Sequence, residues 1–157
     1  MTPEQIIKLL NLEPLPLEGG WYRETYRSDS IIPRTGKNHS TAIYYLLTPD
    51  TFSAIHRLPV DEVFHFYLGD PVTMLLLHPD GNSETIILGP DIKNGQHPQY
   101  VVPAGTWQGS ILRDGGKFAL MGTTVAPGFD FDDYESGDNF ALSAAWPECM
   151  DLIKQLT

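Results

Sequence analysis

The sequence predicts an all-β domain, a sandwich or barrel of short strands with one short helix at each end. Three observations carry this prediction. The 14 Gly and 13 Pro among 157 residues leave little room for long uninterrupted helices. Apolar or β-branched runs recur about every ten or eleven residues, the spacing of strands in sandwiches and barrels. Turn-forming clusters such as Pro79-Asp80-Gly81-Asn82 and Asp114-Gly115-Gly116 separate the runs. At roughly 100 to 200 residues per domain, the length predicts a single domain over 1–157.

Taken in order, Thr2 caps a first helix with Pro3 at its first position and Ile6, Leu9 and Leu10 on one face. That helix ends before Pro14. A Pro/Gly-rich connector follows to Gly20, and Trp21 to Tyr26 reads as an aromatic-rich strand. Further strands are expected at Thr41 to Leu47, Phe52 to His56, Val63 to Leu68, Val72 to His78 and Thr85 to Leu88. Tyr100 to Val102, Trp107 to Leu112 and Phe118 to Val125 complete the series. Ala126 to Asn139 reads as an acidic loop and Pro147 to Leu156 as a closing helix. The loop lacks the ligand spacing of a calcium loop, which leaves a solvated lid or contact loop pinned by Phe129 and Phe131.

Composition excludes several function classes. Twenty acids against ten bases give a formal charge of −10, which repels a phosphate backbone or an anionic lipid surface. Nucleic acid is therefore not an expected partner. The single cysteine, Cys149, rules out an internal disulfide framework and a multi-cysteine zinc site. No run approaches 18 apolar residues, and the first residues lack signal-peptide features, so no membrane partner and a cytoplasmic address are expected.

The chemistry-bearing residues concentrate between Ile55 and Gly69. His56 ends one strand and Glu62 opens the next, so the two can converge inside a barrel as metal ligands or as an acid/base pair. The alternative is that both are solvent-facing strand ends. Strand alternation puts Glu62, Phe64 and Phe66 on one face and Val63, His65 and Tyr67 on the other. A bulge after Pro59 would exchange the two sets, so His65 and Tyr67 also stand as pocket candidates. Trp107 and Gln108 follow a tight Pro103-Ala104-Gly105 turn, and Arg23 is a scarce cation suited to an anionic ligand if it faces inward.

His56, Glu62 and Gly69 carry the spacing of the first motif of the cupin superfamily, and Pro103 and Gly105 fall on its second. Leu58 stands where the second motif histidine belongs, and Gln108 where the third belongs. Longer segments resemble one branch, the DUF985 or cupin-5 group. They are Leu12-Glu13-Pro14 through Glu18-Gly19-Gly20-Trp21-Tyr22-Arg23-Glu24-Thr25-Tyr26, Ser40 to Leu47, His56-Arg57-Leu58 with Asp61-Glu62, Val102 to Gln108, and Ala126 to Phe131.

This resemblance implies a double-stranded β-helix jelly roll with a central pocket, and a homodimer. It implies no particular reaction, since one fold hosts many chemistries. The leading expectation is a small-molecule-binding cupin acting as an isomerase or epimerase on a carbohydrate-like ligand, with His56 as base and Glu62 as its orienting partner. The ligand-binding candidates are His65, Tyr67, Phe64, Phe66, Trp107, Gln108 and Arg23. A non-catalytic binding or storage-like cupin is the alternative that Leu58 and Gln108 favour. A metal-dependent enzyme would use His56, Glu62 and Gln108. Those substitutions disfavour a divalent metal cofactor, because a neutral amide oxygen is a poor donor and affinity rises with ligand number and charge.

Overall fold

In a computed structural model describing residues 1–157, the predicted strand rhythm folds into two antiparallel sheets. The elements are α1 (Pro3–Leu10), β1 (Glu13–Pro14), β2 (Trp21–Arg27), β3 (Thr41–Leu47), β4 (Phe52–Arg57), β5 (Glu62–Gly69) and β6 (Val72–Leu77). They continue with β7 (Ser83–Leu88), β8 (Gln99–Val102), β9 (Trp107–Leu112), β10 (Ala119–Val125), β11 (Glu135–Ser136), α2 (Asn139–Ala145) and α3 (Met150–Gln155). One sheet runs β1-β2-β3-β10-β5-β8, the other β11-β4-β9-β6-β7. This is the all-β jelly roll that the cupin resemblance implies.

The main core fills the space between the sheets. Tyr45 and Leu47 from β3, Phe64 from β5 and Met121 from β10 meet Val72, Met74 and Leu76 from β6. The other face of β6 is buried as well. Leu75 and Leu77 point outward and pack with Ile55 against Leu142 of α2 and Ile153 and Leu156 at the C-terminus. This explains why Val72 to Leu77 reads as an unbroken apolar run rather than an alternating one. On the opposite side, α1 lies against the outer face of the six-stranded sheet, where Ile6 meets Leu46 and Leu120. Its N-terminus carries a full capping box between Thr2 and Gln5.

The structure departs from the sequence expectation at the C-terminal end. Two helices, not one, follow the acidic loop, because Asp138 caps a turn at Asn139 that the loop expectation overlooked. The two-residue strands β1 and β11 were also not foreseen. Such strands carry no periodicity of their own and exist through pairing, Glu135 with Arg57 and Ser136 with His56 in the case of β11. No helix is long and apolar enough to cross a membrane.

Bulges set the side-chain directions near the site. In β5 the register against β10 shifts at Tyr67, after Glu62, Phe64 and Phe66 have already faced inward. In β4 a register shift between Ser53 and His56 turns both of those side chains toward the barrel interior while Ile55 packs outward.

Candidate functional site

A cavity of about 440 Å³ lies between the sheets. Thr41 and Ile43 of β3 and Thr123 and Val125 of β10 form part of its wall. Phe129, Phe131 and Tyr134 close it from the loop after β10. That loop is tied to the barrel by charge: Lys37 pairs with Asp133 and Asp130, and Arg57 forks onto Glu135 while lying 4.5 Å over the Trp107 ring.

His56 is the best-defined polar group on the wall. Only 2% of its surface is exposed. Its Nδ1 lies 2.8 Å from the Ala54 carbonyl, which can only accept, so Nδ1 carries the proton and donates. Nε2 is left at the cavity with no hydrogen-bond partner. The carboxylate it faces is Glu18, whose Oε2 is 3.8 Å away. The Tyr134 ring stacks on the imidazole at a centroid distance of 4.7 Å and 18° between planes.

Glu18 reaches this place from the connector before β2. The connector turns through left-handed conformations at Leu17, Gly19 and Gly20, with φ of 68°, 92° and 73°. A Cβ on Gly19 would sit 2.6 Å from the Phe52 carbonyl oxygen, so only glycine lets the turn close onto β4. The Glu18 carbonyl then accepts from the Ala54 amide, and its Oε1 accepts from Ser53 Oγ at 2.7 Å. Sequence reasoning missed Glu18 as a site residue. The available signal was a carboxylate directly before Gly19-Gly20 in a Pro-rich connector.

Glu62 is 7% exposed and lines the same cavity. Gln108 Nε2 donates to its Oε2 at 2.7 Å. Burial raises the Glu62 pKa above the usual carboxylate range, and the Glu18 charge adds to that, although His56, Thr123 and Gln108 pull the other way. Burial and the Glu18 charge also push the Tyr134 phenol up.

The geometry corrects the ring-orienting role expected of Glu62. The Ala54 carbonyl and the Tyr134 ring hold His56, and Glu18 is the carboxylate beside its free nitrogen. Phe64 and Phe66 face inward as the unbulged register required, but they belong to the core rather than to the cavity wall. His65 and Tyr67 lie on the outer face. His65 bonds Thr124 and Gln99, and Tyr67 meets Tyr44 edge to face. The alternative register that would bring these two into the pocket is therefore absent.

Trp107 packs on the far side of β9 under Arg57. Gln108 sits behind Glu62 rather than at the wall. Arg23 borders the cavity, yet its guanidinium lies 5.4 Å over the Tyr44 ring on the outer face. Among the expected site residues, His56 and Glu62 are thus brought together at the cavity, with Gln108 acting through Glu62.

Residues 4–137 match the family described as Cupin_5, cupin superfamily (DUF985). The chain belongs to the DUF985 cupins. Protein SO0799 of Shewanella oneidensis, known from an X-ray crystal structure, is 36% identical with a TM-score of 0.92, covering 100% of this chain and 98% of its own. A hypothetical protein from Leishmania major is 32% identical with a TM-score of 0.91, covering 100% and 99%. The uncharacterised yeast protein YML079W of Saccharomyces cerevisiae is 35% identical over 133 residues. That match takes in 74% of this chain and 66% of the yeast protein's length.

Oxalate decarboxylase of Bacillus subtilis, described with Mn(II) centres, shares the cupin fold at 13% identity and a TM-score of 0.59 over 38% of its length. The donor set of this DUF985 cupin does not fit such a metal. Leu58, at the second histidine position, offers no donor, and the Gln108 amide nitrogen is directed at Glu62. No group of three or more His, Cys, Asp or Glu side chains converges with metal-binding geometry.

Proposed function

We propose that this cupin binds a small polar molecule in the barrel cavity and moves a proton on it, in the manner of an isomerase or epimerase. His56 Nε2 is the base and Glu62 the acid. One observation carries the reading: a nearly fully buried imidazole has one nitrogen tied to the backbone and the other open to the cavity without a partner. Glu62 supports the second role: it is buried at the same cavity, and burial raises its pKa, which favours the protonated form that can donate. An imidazole nitrogen without a partner and a buried carboxyl group beside one cavity supply the base and the acid that proton abstraction next to a carbonyl requires.

The test is solvent deuterium incorporation into a panel of keto-sugars and related α-carbonyl compounds. Exchange is expected with at least one member, and His56→Ala should abolish it. Exchange retained in that variant removes the proposed base. A second reading, binding without catalysis, is favoured by the commitment of the Gln108 amide to Glu62, since the second cupin motif then supplies no group to the ligand. Ligand binding without exchange would select it.

A homodimer is also proposed. Tyr26 is 55% exposed on β2, whose outer edge is covered by β1 only at Trp21 and Tyr22. An edge strand left open in this way is normally paired or shielded. Light scattering should give twice the chain mass of 17.5 kDa, and a monomer at all concentrations would contradict the proposal.

A further inference from the structure

The charge around the cavity points to a ligand class. Five carboxylates line it, Glu13, Glu18, Glu24, Glu62 and Asp130, against two guanidiniums. Only one guanidinium is paired with a carboxylate. Arg27 forks onto Glu24 at 3.0 and 2.9 Å, gives two more donors to Asn38 and the Phe129 carbonyl, and turns Nη1 toward Asp130 at 3.7 Å. Arg23 lies over Tyr44 on the outer face. Glu13 and Glu18 therefore have no Lys or Arg paired with them. An anion entering this space meets an excess of negative charge, with Arg23, drawn over Tyr44, as the unpaired guanidinium at its border.

The charged group nearest the imidazole is an acceptor. With Nδ1 donating to the Ala54 carbonyl, His56 Nε2 has no hydrogen-bond partner, and Glu18 Oε2 faces it from 3.8 Å. A cationic N–H donor placed against Glu18 gains a charge-assisted bond. The walls add aromatic faces and edges. Tyr134 stacks on His56, Phe129 and Phe131 meet edge to face at 5.2 Å, and Tyr22 lines the opposite side. Rings next to carboxylates make a favourable setting for a positively charged nitrogen.

We propose that the occupant of this cavity is a small organic cation carrying N–H groups, a protonated amine, amidine or guanidine, whose charged nitrogen sits against the Glu18 carboxylate, beside His56 Nε2 but not bonded to it. Its apolar part packs on Phe129, Phe131 and Tyr22. The inference rests on the cavity being the ligand site, as proposed above, and names what enters it. Sugar phosphates and nucleotide sugars are thereby disfavoured as ligands, whereas an amino-sugar or amino-ketone satisfies both the charge and the proton-transfer reading.

A charge series of matched shape tests this: benzamidine, benzyl alcohol and benzoate, titrated into the full chain by calorimetry and followed by NMR at the His56 and Tyr134 side chains. Benzamidine is expected to bind about tenfold or more tighter than benzyl alcohol, with benzoate weakest. Glu18→Gln, which keeps an acceptor for Ser53 Oγ, should cost benzamidine about tenfold and leave benzyl alcohol nearly unchanged. Benzoate or benzyl alcohol binding as tightly as benzamidine while shifting the His56 signals would overturn the cation and leave the cavity as the site. No shift at His56 or Tyr134 with any of the three would overturn both. If Glu18→Gln does not fold, the wild-type series alone decides.

Discussion

Gln108→Leu perturbs the single donor that reaches Glu62 from behind the cavity wall, and its cost should depend on pH. Gln108 donates one hydrogen bond at 2.7 Å and leaves its own Oε1 buried without a donor. While Glu62 is neutral, losing the bond costs about 1 kcal/mol and removing the orphaned carbonyl returns about as much, so the variant stays within about 1 kcal/mol of the parent. Once Glu62 is ionised the lost bond is charge-assisted, worth about 1.5–3 kcal/mol, and a buried carboxylate is left with less solvation.

Burial raises the Glu62 pKa in the folded state. Such a group contributes stability below its unfolded value of 4.5 and loses it as pH climbs through the folded value. The substitution lifts the folded value further, so the added loss falls on the alkaline side. Urea unfolding near pH 4 and near pH 8 should show the deficit growing by about 1–2 kcal/mol, a midpoint change of about 0.5–1 M at a slope near 2 kcal/mol per molar. A deficit that is constant or shrinks with pH would refute both the raised Glu62 pKa and the donor role of Gln108.

Three further outcomes are expected. Gly69→Ala should destabilise by about 2 kcal/mol or more and lower the melting temperature by several degrees. The residue has φ of 106°, and a Cβ there would overlap the Phe118 carbonyl oxygen and meet its ring at 2.9 Å. An unchanged melting curve would mean the β5 end is not held as described. Protein purified without chelator should carry well under one equivalent of divalent metal by mass spectrometry. The double variant Leu58→His with Gln108→His, which restores two imidazoles beside His56, should gain cobalt or nickel binding. Stoichiometric metal in the unaltered protein would contradict the donor-set argument.

Strand identity was legible in this sequence because short amphipathic runs between turn residues have few other solutions. Local alternation groups Glu62, Phe64 and Phe66 on one face, while the jelly roll rested on the resemblance to the DUF985 cupins, and the spacing of His56 and Glu62 left a solvent-facing alternative that the cavity excludes. Elements held only by long-range pairing were not legible: β1 and β11 are two residues long and carry no pattern. The second C-terminal helix was hidden because it is seven residues long and buries only Leu142.

Composition and spacing alone determined an all-β class and the absence of a cysteine framework, and singled out His56 and Glu62 without deciding which way they face. Tertiary structure alone decided which groups act on them. Glu18 arrives from a connector whose direction depends on Gly19 meeting the Phe52 backbone, Tyr134 from a loop fastened by Lys37 and Arg57, and Gln108 from a strand paired to β4. The division has a physical cause. Side-chain alternation and turn chemistry are local, whereas the field inside a cavity is the sum of charges delivered by segments far apart in the chain.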